Sequence, residues 1–249
     1  QINSFSNFRT PHSLGSFYST FTEFLGFHPN GDEWKVMALA SLGNPLTYYD
    51  KVRQLVKVDN LKFELDLSYF EHYMFFTEHY YSPKFIEEFG PQIGKLEELT
   101  QYHYDLVASV QKVAEDVSIE LLNNLQKKTG NKNIVVSGGF FMNSVLNGKI
   151  LDKTNYENVH IGGSPDDSGI SIGSALYGLV YDKKHTNVLP NLTHNYYGCD
   201  YSDSDIINEL NKRKIKFQQI ENVEEFVAKK LREKNIVAWF QGKSEFGQR

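Results

Sequence analysis

Two glycine-containing polar turns carry the residue types best suited to chemistry in this sequence. The first contains Gly138 and Gly139 after the apolar segment 134–136, and the second spans 162–169 after another apolar segment. Glycines that follow a strand let the backbone approach a phosphate, and a helix beginning there offers free N–H groups. Asn143, just beyond the first turn, has an amide suited to a ribose, a base or the nearby backbone. The pattern predicts a nucleotide or phosphate site, with a tight turn whose glycines serve packing alone as the alternative.

Two adjacent carboxylates, Asp166 and Asp167, lie in the second turn. Carboxylate oxygens suit a hard divalent metal ion or a metal–phosphate complex. Acids that precede a helix also act as N-caps, so capping stays open as the simpler interpretation. Asp167 stands nearer to the start of the following helix and is therefore the favoured metal ligand of the pair.

A third motif, Glu33 with Lys35, is charged and begins a short predicted helix over 33–40. It is either a ligand contact or a surface charge pair. The sequence has no nucleophile-elbow motif, and its eight histidines lack the spacing of a metal site. No catalytic residue is therefore predicted.

The composition is typical of a soluble globular protein. Of 249 residues, 40% are hydrophobic and 23% are charged. The net charge of −5 argues against a nucleic-acid backbone as the main partner. A single cysteine, Cys199, cannot form an internal disulfide, which fits a reducing compartment and predicts a cytoplasmic protein. No apolar stretch has the length of a membrane span, so no membrane partner is expected.

The elements that must position the two turns alternate between helix and strand. The clearest helix is predicted over 105–127, where apolar residues recur at steps of three and four, and the turn 129–131 ends it. Strands over 134–136 and 158–161 follow, and the helix after the second turn is predicted over 170–180. This alternation predicts an α/β layer with a largely parallel sheet.

The flanking regions give weaker signals. Before the long helix, the pattern predicts a buried helix closed by Gly26, strands within 55–81 and a short helix within 83–91. The composition changes around 190–200, which marks a linker. Beyond it the pattern predicts helices over 204–212 and 223–234, the latter with a capping box of Asn222 and Glu225, and strands over 215–220 and 236–240.

Five motifs occur in an order that resembles the O-carbamoyltransferase family, which includes nodulation protein U and the tobramycin carbamoyltransferase. They span 12–18, 33–40, 137–149, 166–169 and 239–249. The resemblance covers nearly the whole chain and is weakest around 70–81. It implies an actin-like ATPase lobe of the ribonuclease H-like type, formed in part by 1–195. It also implies that 196–249 begins a second α+β domain, which resembles the carbamoyl-adenylate-forming module.

Roles for particular residues also come from the resemblance. Enzymes of this family use ATP and carbamoyl phosphate to form carbamoyl-adenylate, then transfer the carbamoyl group to a small-molecule hydroxyl at Fe²⁺ or another divalent metal. By this pattern Asp167 is a metal ligand. The adenylate is held by Gly138, Gly139 and Asn143, and Glu33 contacts its ribose. Lys243 and Arg249 belong to the second-domain motif that handles carbamoyl phosphate and ATP. The resemblance leaves a homodimer open.

The sequence departs from the family pattern at both ends. The paired histidines expected before this region are missing, and the second-domain motif breaks off at Arg249. A fragment that is inactive alone is therefore expected. Two alternatives stay open, namely a tRNA threonylcarbamoyl transferase-like enzyme and a non-catalytic nucleotide-binding module of the same fold.

Overall fold

The computed structural model describes residues 3–94, 97–182 and 194–247. Two compact units are separated along the chain, one ending at Asp167 and the other beginning at Ser168. The predicted domain boundary between 195 and 196 stays a prediction. The described residues form a mixed α/β protein with small sheets, and the actin-like lobe also stays a prediction.

The first unit contains seven α-helices and four strands in the part that the structure describes. In chain order these are α1 (Leu14–Phe24), α2 (Glu33–Leu39), α3 (Tyr49–Arg53), β1 (Val56–Asp59), β2 (Lys62–Leu65), α4 (Pro83–Phe89), α5 (Gln101–Thr129), β3 (Asn133–Val136), α6 (Ser144–Asn147), α7 (Ile150–Lys153) and β4 (Asn158–Ile161). Single 3₁₀ turns cover Ala40–Leu42, Leu67–Tyr69 and Gly139–Met142, and a further one, Asp167–Gly169, begins at the last residue of this unit.

The main core lies between the aromatic face of α1 and the apolar stripe of α5. Phe17, Phe21 and Phe24 are fully buried on α1, and the Phe21 and Phe24 rings lie 5.0 and 5.3 Å from that of Phe85 on α4. From α5, Leu106, Val110, Val113 and Val117 are fully buried in the same cluster. The periodic pattern of the long helix is thereby confirmed, and the helix extends a turn beyond the predicted start.

Local signals account for the ends of these helices. The Ser13 hydroxyl caps α1 by accepting from the Ser16 N–H at 3.2 Å, and Gly26 follows its end in a left-handed conformation with φ 77°. Pro83 occupies the first turn of α4, where a missing N–H costs nothing. Gly130, with φ 67°, ends α5 as predicted.

The strands form two separate two-stranded sheets in the described residues. β1 and β2 are an antiparallel hairpin, whereas β3 and β4 are parallel and pair Ile134 with Val159 and Val136 with Ile161. The parallel prediction is therefore confirmed for the strands that carry the two turns. A smaller cluster of Leu122, Val136, Ile150 and Tyr156 fixes this sheet against α5 and α7.

The second unit is helical in its described part. It contains α8 (Ile170–Tyr177), a π-helical extension over Gly178–Asp182, α9 (Asp203–Lys212) and α10 (Val223–Arg232). Ser202 and Asp205 form a capping box on α9. Asn222 caps α10 by accepting from the Glu225 N–H, which confirms the cap. The predicted capping box is incomplete, because the Glu225 carboxylate accepts from the Asn222 side-chain amide and not from its backbone N–H.

The two strands predicted in this unit, 215–220 and 236–240, are wrong. Neither segment forms a strand or pairs with one among the described residues, and several apolar side chains expected on a buried face are exposed. Ile215 is 49% exposed, Phe217 45% and Ile236 fully so. Alternating apolar residues form a strand only where a neighbour supplies the hydrogen-bond ladder.

No helix in the described residues is both long and apolar enough to cross a membrane.

Candidate functional site

The two glycine turns lie side by side because they follow adjacent parallel strands. The carboxyl ends of β3 and β4 are at the same edge, since Val136 and Ile161 are paired at the last position. The Gly138 main-chain N–H donates to the Pro165 carbonyl at 2.6 Å, and the Ser137 hydroxyl donates to the same oxygen at 3.0 Å. The first turn is thus hydrogen-bonded to the second.

Glycine is required at Gly138 by its backbone conformation. Its φ of 107° and ψ of 150° lie in a region that residues with a Cβ rarely adopt. A Cβ built there would meet no atom within 4 Å, and one on Gly139 would meet only the Met142 Cε, at 4.0 Å. The space beside the turn is open, so close packing is not the reason for these glycines. Their contact with a phosphate stays a prediction.

The turn is held by the core behind it. Phe140, in the 3₁₀ turn after Gly138, packs against the main aromatic core. Asn143 then caps α6, accepting the Leu146 N–H at 3.0 Å through Oδ1. The backbone bond expected as one alternative for Asn143 is therefore present, and its ligand contact stays a prediction.

Asp166 and Asp167 lie in different environments. Asp166 is half-buried and accepts a hydrogen bond from the Ser164 hydroxyl at 2.6 Å. Asp167 is exposed and begins the 3₁₀ turn that leads into α8, whose own N-cap is Gly169. Across the described ranges, no group of three or more His, Cys, Asp or Glu side chains is arranged to hold a metal. Asp167 as a metal ligand stays a prediction.

Glu33 is a structural acceptor at the start of α2. Its Oε1 accepts from the Ser19 hydroxyl at 2.5 Å and from the Asn30 N–H at 2.6 Å. The alternative of a Glu33–Lys35 charge pair is wrong, because the Lys35 ammonium pairs with Asp32 at 2.9 Å. That ion pair lowers the pKa of Asp32.

The sequence did not predict a buried polar network that lies next to the first turn. The side chains of Asn143 and Gln111 exchange two hydrogen bonds, of 3.1 and 2.9 Å. Gln111 also accepts from the Tyr18 hydroxyl at 2.9 Å and donates to the Glu115 carboxylate at 2.8 Å. The Lys149 ammonium contacts both oxygens of that carboxylate, at 2.7 and 2.8 Å.

The position of Tyr18 relates this network to Glu33. Burial raises the pKa of the Tyr18 hydroxyl well above its ordinary value, and the negative charges of Glu115 and Glu33 raise it further. Glu33, which is predicted to contact the ribose, and Glu115 of the network at Asn143 thus both raise the pKa of the same buried hydroxyl. The sequence carried little signal for this network: Gln111 and Glu115 lie four apart on α5, but so do Lys112 and Asp116, which are not buried.

The predicted residues of the second-domain motif are placed only in part. Lys243 is exposed in the second unit. Arg249 lies outside the described residues. Their roles toward carbamoyl phosphate and ATP stay predictions.

Comparison with known proteins identifies the class. A family model described as the carbamoyltransferase N-terminus matches residues 1–176, and the chain belongs to this family. The match includes both turns, α5 and the network residues.

Similar proteins are known from several microbes. An uncharacterized protein of Synechocystis sp. is 32% identical over 96% of this chain and 40% of its own length. One from Methanocaldococcus jannaschii is 30% identical over 95% of this chain and 38% of its own. Nodulation protein NolNO of Sinorhizobium fredii is 26% identical over all of this chain and 35% of its own length. The chain thus spans about two fifths of the length of these relatives.

Proposed function

We propose that this chain is part of an ATP-dependent O-carbamoyltransferase that works through carbamoyl-adenylate. The observation that carries the proposal is the joined pair of turns, in which Gly138 bonds to Pro165 and leaves open space beside it. Membership of the carbamoyltransferase family supports it. In this proposal the turns face the adenylate, and the acceptor is a hydroxylated small molecule.

The residues assigned to the nucleotide have suitable donor and acceptor groups. Backbone N–H groups beside Gly139 are suited to phosphate oxygens, because no Cβ stands in the way. Glu33 suits a ribose hydroxyl through Oε2, since its hydrogen bonds to Ser19 and Asn30 both use Oε1. Asn143 suits an acceptor atom of the adenylate.

The reaction proposed here is an acyl transfer. Carbamoyl-adenylate is a mixed anhydride, so the acceptor oxygen attacks the carbamoyl carbon, a new C–O bond forms and AMP leaves with the bridging oxygen. The hydroxyl proton is lost to a base that we do not assign. A site that excludes water would limit hydrolysis of the anhydride.

Two further parts of the proposal rest on the family resemblance. Asp167 is proposed as one ligand of Fe²⁺ or another divalent metal. The described residues do not assemble a ligand set around it, so no step is derived through a metal. Lys243 and Arg249, in a second domain proposed to begin near 196, are assigned to carbamoyl phosphate and ATP. A cytoplasmic location is proposed from the single unpaired cysteine.

The nucleotide site is tested by titrating this chain with ATP and with AMP in a calorimeter. We expect weak binding, and Gly139→Val is expected to lower the affinity at least tenfold by filling the space above the turn. Gly139 suits this test because its φ is not left-handed and its Cβ has room. The control is Gly173→Val in α8, where a Cβ also meets nothing within 4 Å. Equal affinity for the wild-type chain and Gly139→Val would refute the turn assignment.

The transfer is tested on the intact gene product that contains this sequence. It is incubated with ATP, carbamoyl phosphate and a panel of hydroxylated acceptors, and the products are followed by mass spectrometry. A carbamoylated acceptor supports the proposal. Modified tRNA would favour the threonylcarbamoyl transferase alternative, and nucleotide binding without any product would favour the non-catalytic module.

A further inference from the structure

We infer that Gln111, Glu115 and Lys149 are positioning residues that fix Asn143 as a hydrogen-bond donor toward the nucleotide. The inference rests on the proposed function for the identity of the ligand. It deepens that proposal by specifying which atom of Asn143 is free and which chemical group it can recognise.

Lys149 and Glu115 set the polarity of the network. Glu115 is only 5% exposed, whereas the Lys149 side chain is partly in solvent and places its ammonium against both carboxylate oxygens. A buried carboxylate only accepts hydrogen bonds. The Gln111 group that faces Glu115 must therefore be the amide nitrogen, and its oxygen must face the other way.

The orientation of the Gln111 amide determines the orientation of the Asn143 amide. Gln111 Nε2 donates to Glu115 and to Asn143 Oδ1, and its Oε1 accepts from Asn143 and from the Tyr18 hydroxyl. All four hydrogen-bonding positions of the Gln111 amide are then filled. Because Gln111 is itself buried, reversing its amide would set oxygen against a carboxylate oxygen.

Asn143 is fixed from its other side as well. Its Oδ1 accepts from the Leu146 N–H at the start of α6 and from Gln111, which fills both lone pairs. Its Nδ2 donates one hydrogen to Gln111, and the second has no hydrogen-bond partner among the described residues. Asn143 can therefore recognise a ligand only by donating. The group recognised is an acceptor, such as a phosphate, ribose or ring-nitrogen atom of the adenylate.

The decisive variant exchanges the two side chains of the network on α5. Gln111→Glu combined with Glu115→Gln keeps the charge and nearly the volume, but sets a carboxylate against Asn143. One carboxylate oxygen then stands against Asn143 Oδ1, so the Asn143 amide must rotate, and its free N–H no longer points toward the ligand. We expect the affinity for ATP to fall about tenfold, the effect of losing one hydrogen bond of about 1.4 kcal/mol. Because the exchange moves the buried carboxylate away from the Lys149 ammonium, the thermal midpoint is also expected to fall, by roughly 3–10 °C.

Two single variants give the effects on affinity expected with and without loss of the Asn143 donor. Asn143→Asp removes the donor and is expected to lose at least as much affinity as the exchange. Tyr18→Phe removes a donor to Gln111 without changing the polarity toward Asn143, so its affinity is expected to stay within about twofold. A role in packing alone would make Tyr18→Phe and the exchange variant equal in affinity, and that result overturns the inference.

Side-chain amide exchange, followed by NMR in the wild-type chain without ligand, tests the network directly. We expect one Asn143 Nδ2 proton to be protected from solvent and the other to exchange rapidly. Two rapidly exchanging protons overturn the inference even if the exchanged variant does not fold. If Gly139→Val abolishes ATP binding while the exchange variant binds normally, the positioning role fails and the proposed site stands. If the wild-type chain binds no nucleotide, the proposed site and the inference fail together.

Discussion

The Gly138 main-chain N–H donates to the Pro165 carbonyl across 2.6 Å, and this bond joins the turn after β3 to the turn after β4. The two residues are 27 positions apart, and α6, α7 and β4 lie between them. The parallel pairing of β3 and β4 brings both turns to one edge. The bond between them makes the pair of turns a single structural unit.

The conformation of Gly138 leads to a first prediction. Gly138→Ala is expected to destabilise the protein by about 1–3 kcal/mol, because alanine is strained at φ 107° and ψ 150°. Gly139→Ala is the matched control and is expected to change stability by less than about 0.5 kcal/mol, since its Cβ enters open space. Urea denaturation monitored by circular dichroism measures both. Equal effects at the two glycines would show that backbone strain is not the reason for Gly138.

A second prediction concerns Glu33, which links α1 to α2 through Ser19 and Asn30. Glu33→Ala is expected to cost about 1–3 kcal/mol, because the buried Ser19 hydroxyl and the Asn30 N–H both lose their acceptor. Glu33→Gln keeps a side-chain oxygen and is expected to cost less than half as much. Chemical denaturation of the two variants tests the ranking. An alanine variant as stable as the wild-type protein would contradict the structural role.

The burial of His72 predicts a dependence of stability on pH. Burial lowers the pKa of His72 below its ordinary value of 6.5, and nearby His12 lowers it further, against the opposing bond to the Pro11 carbonyl. Below about pH 6.5 the unfolded chain therefore takes up a proton that the folded chain resists. Stability contributed by neutral His72 is present above that pH and is lost as the pH falls.

The variant His72→Gln tests this dependence. Glutamine keeps a donor for the Pro11 carbonyl but does not titrate. Between about pH 7.5 and about pH 5.5, the wild-type protein is expected to lose more stability than the variant in urea titrations. A variant with the same loss would assign the acid sensitivity to other groups.

Sequence reasoning succeeded where a local pattern determines the structure. The apolar period of α5, Gly130 at its end and the parallel pair β3–β4 all follow from neighbouring residues and from alternation along the chain. It failed at 215–220 and 236–240, because alternation alone does not supply a neighbouring strand. Recognition of the family came from ordered motifs and is confirmed by the match over 1–176.

The network at Asn143 could not be predicted in the same way. Its members come from α1, α5, the cap of α6 and Lys149, and only the packing of these elements brings them together. A polar pair four residues apart on α5 does not by itself indicate a buried network, since Lys112 and Asp116 have the same spacing and are not buried. The sequence therefore identified Asn143 as a candidate and missed Gln111, which orients it.

The ion pair between Lys149 and Glu115 gives the last prediction. Lys149→Met leaves the Glu115 carboxylate buried, with the Gln111 amide as its remaining hydrogen-bond donor in the part of the chain that the structure describes. Because Lys149 is 43% exposed in its side chain, we expect a loss of about 1–3 kcal/mol, less than for a fully buried pair. Adding Glu115→Gln removes the uncompensated charge, so the double variant is expected to be more stable than Lys149→Met. Urea denaturation of the two single variants and the double variant gives the coupling energy. A double variant less stable than Lys149→Met would show that the carboxylate stabilises the fold without its lysine.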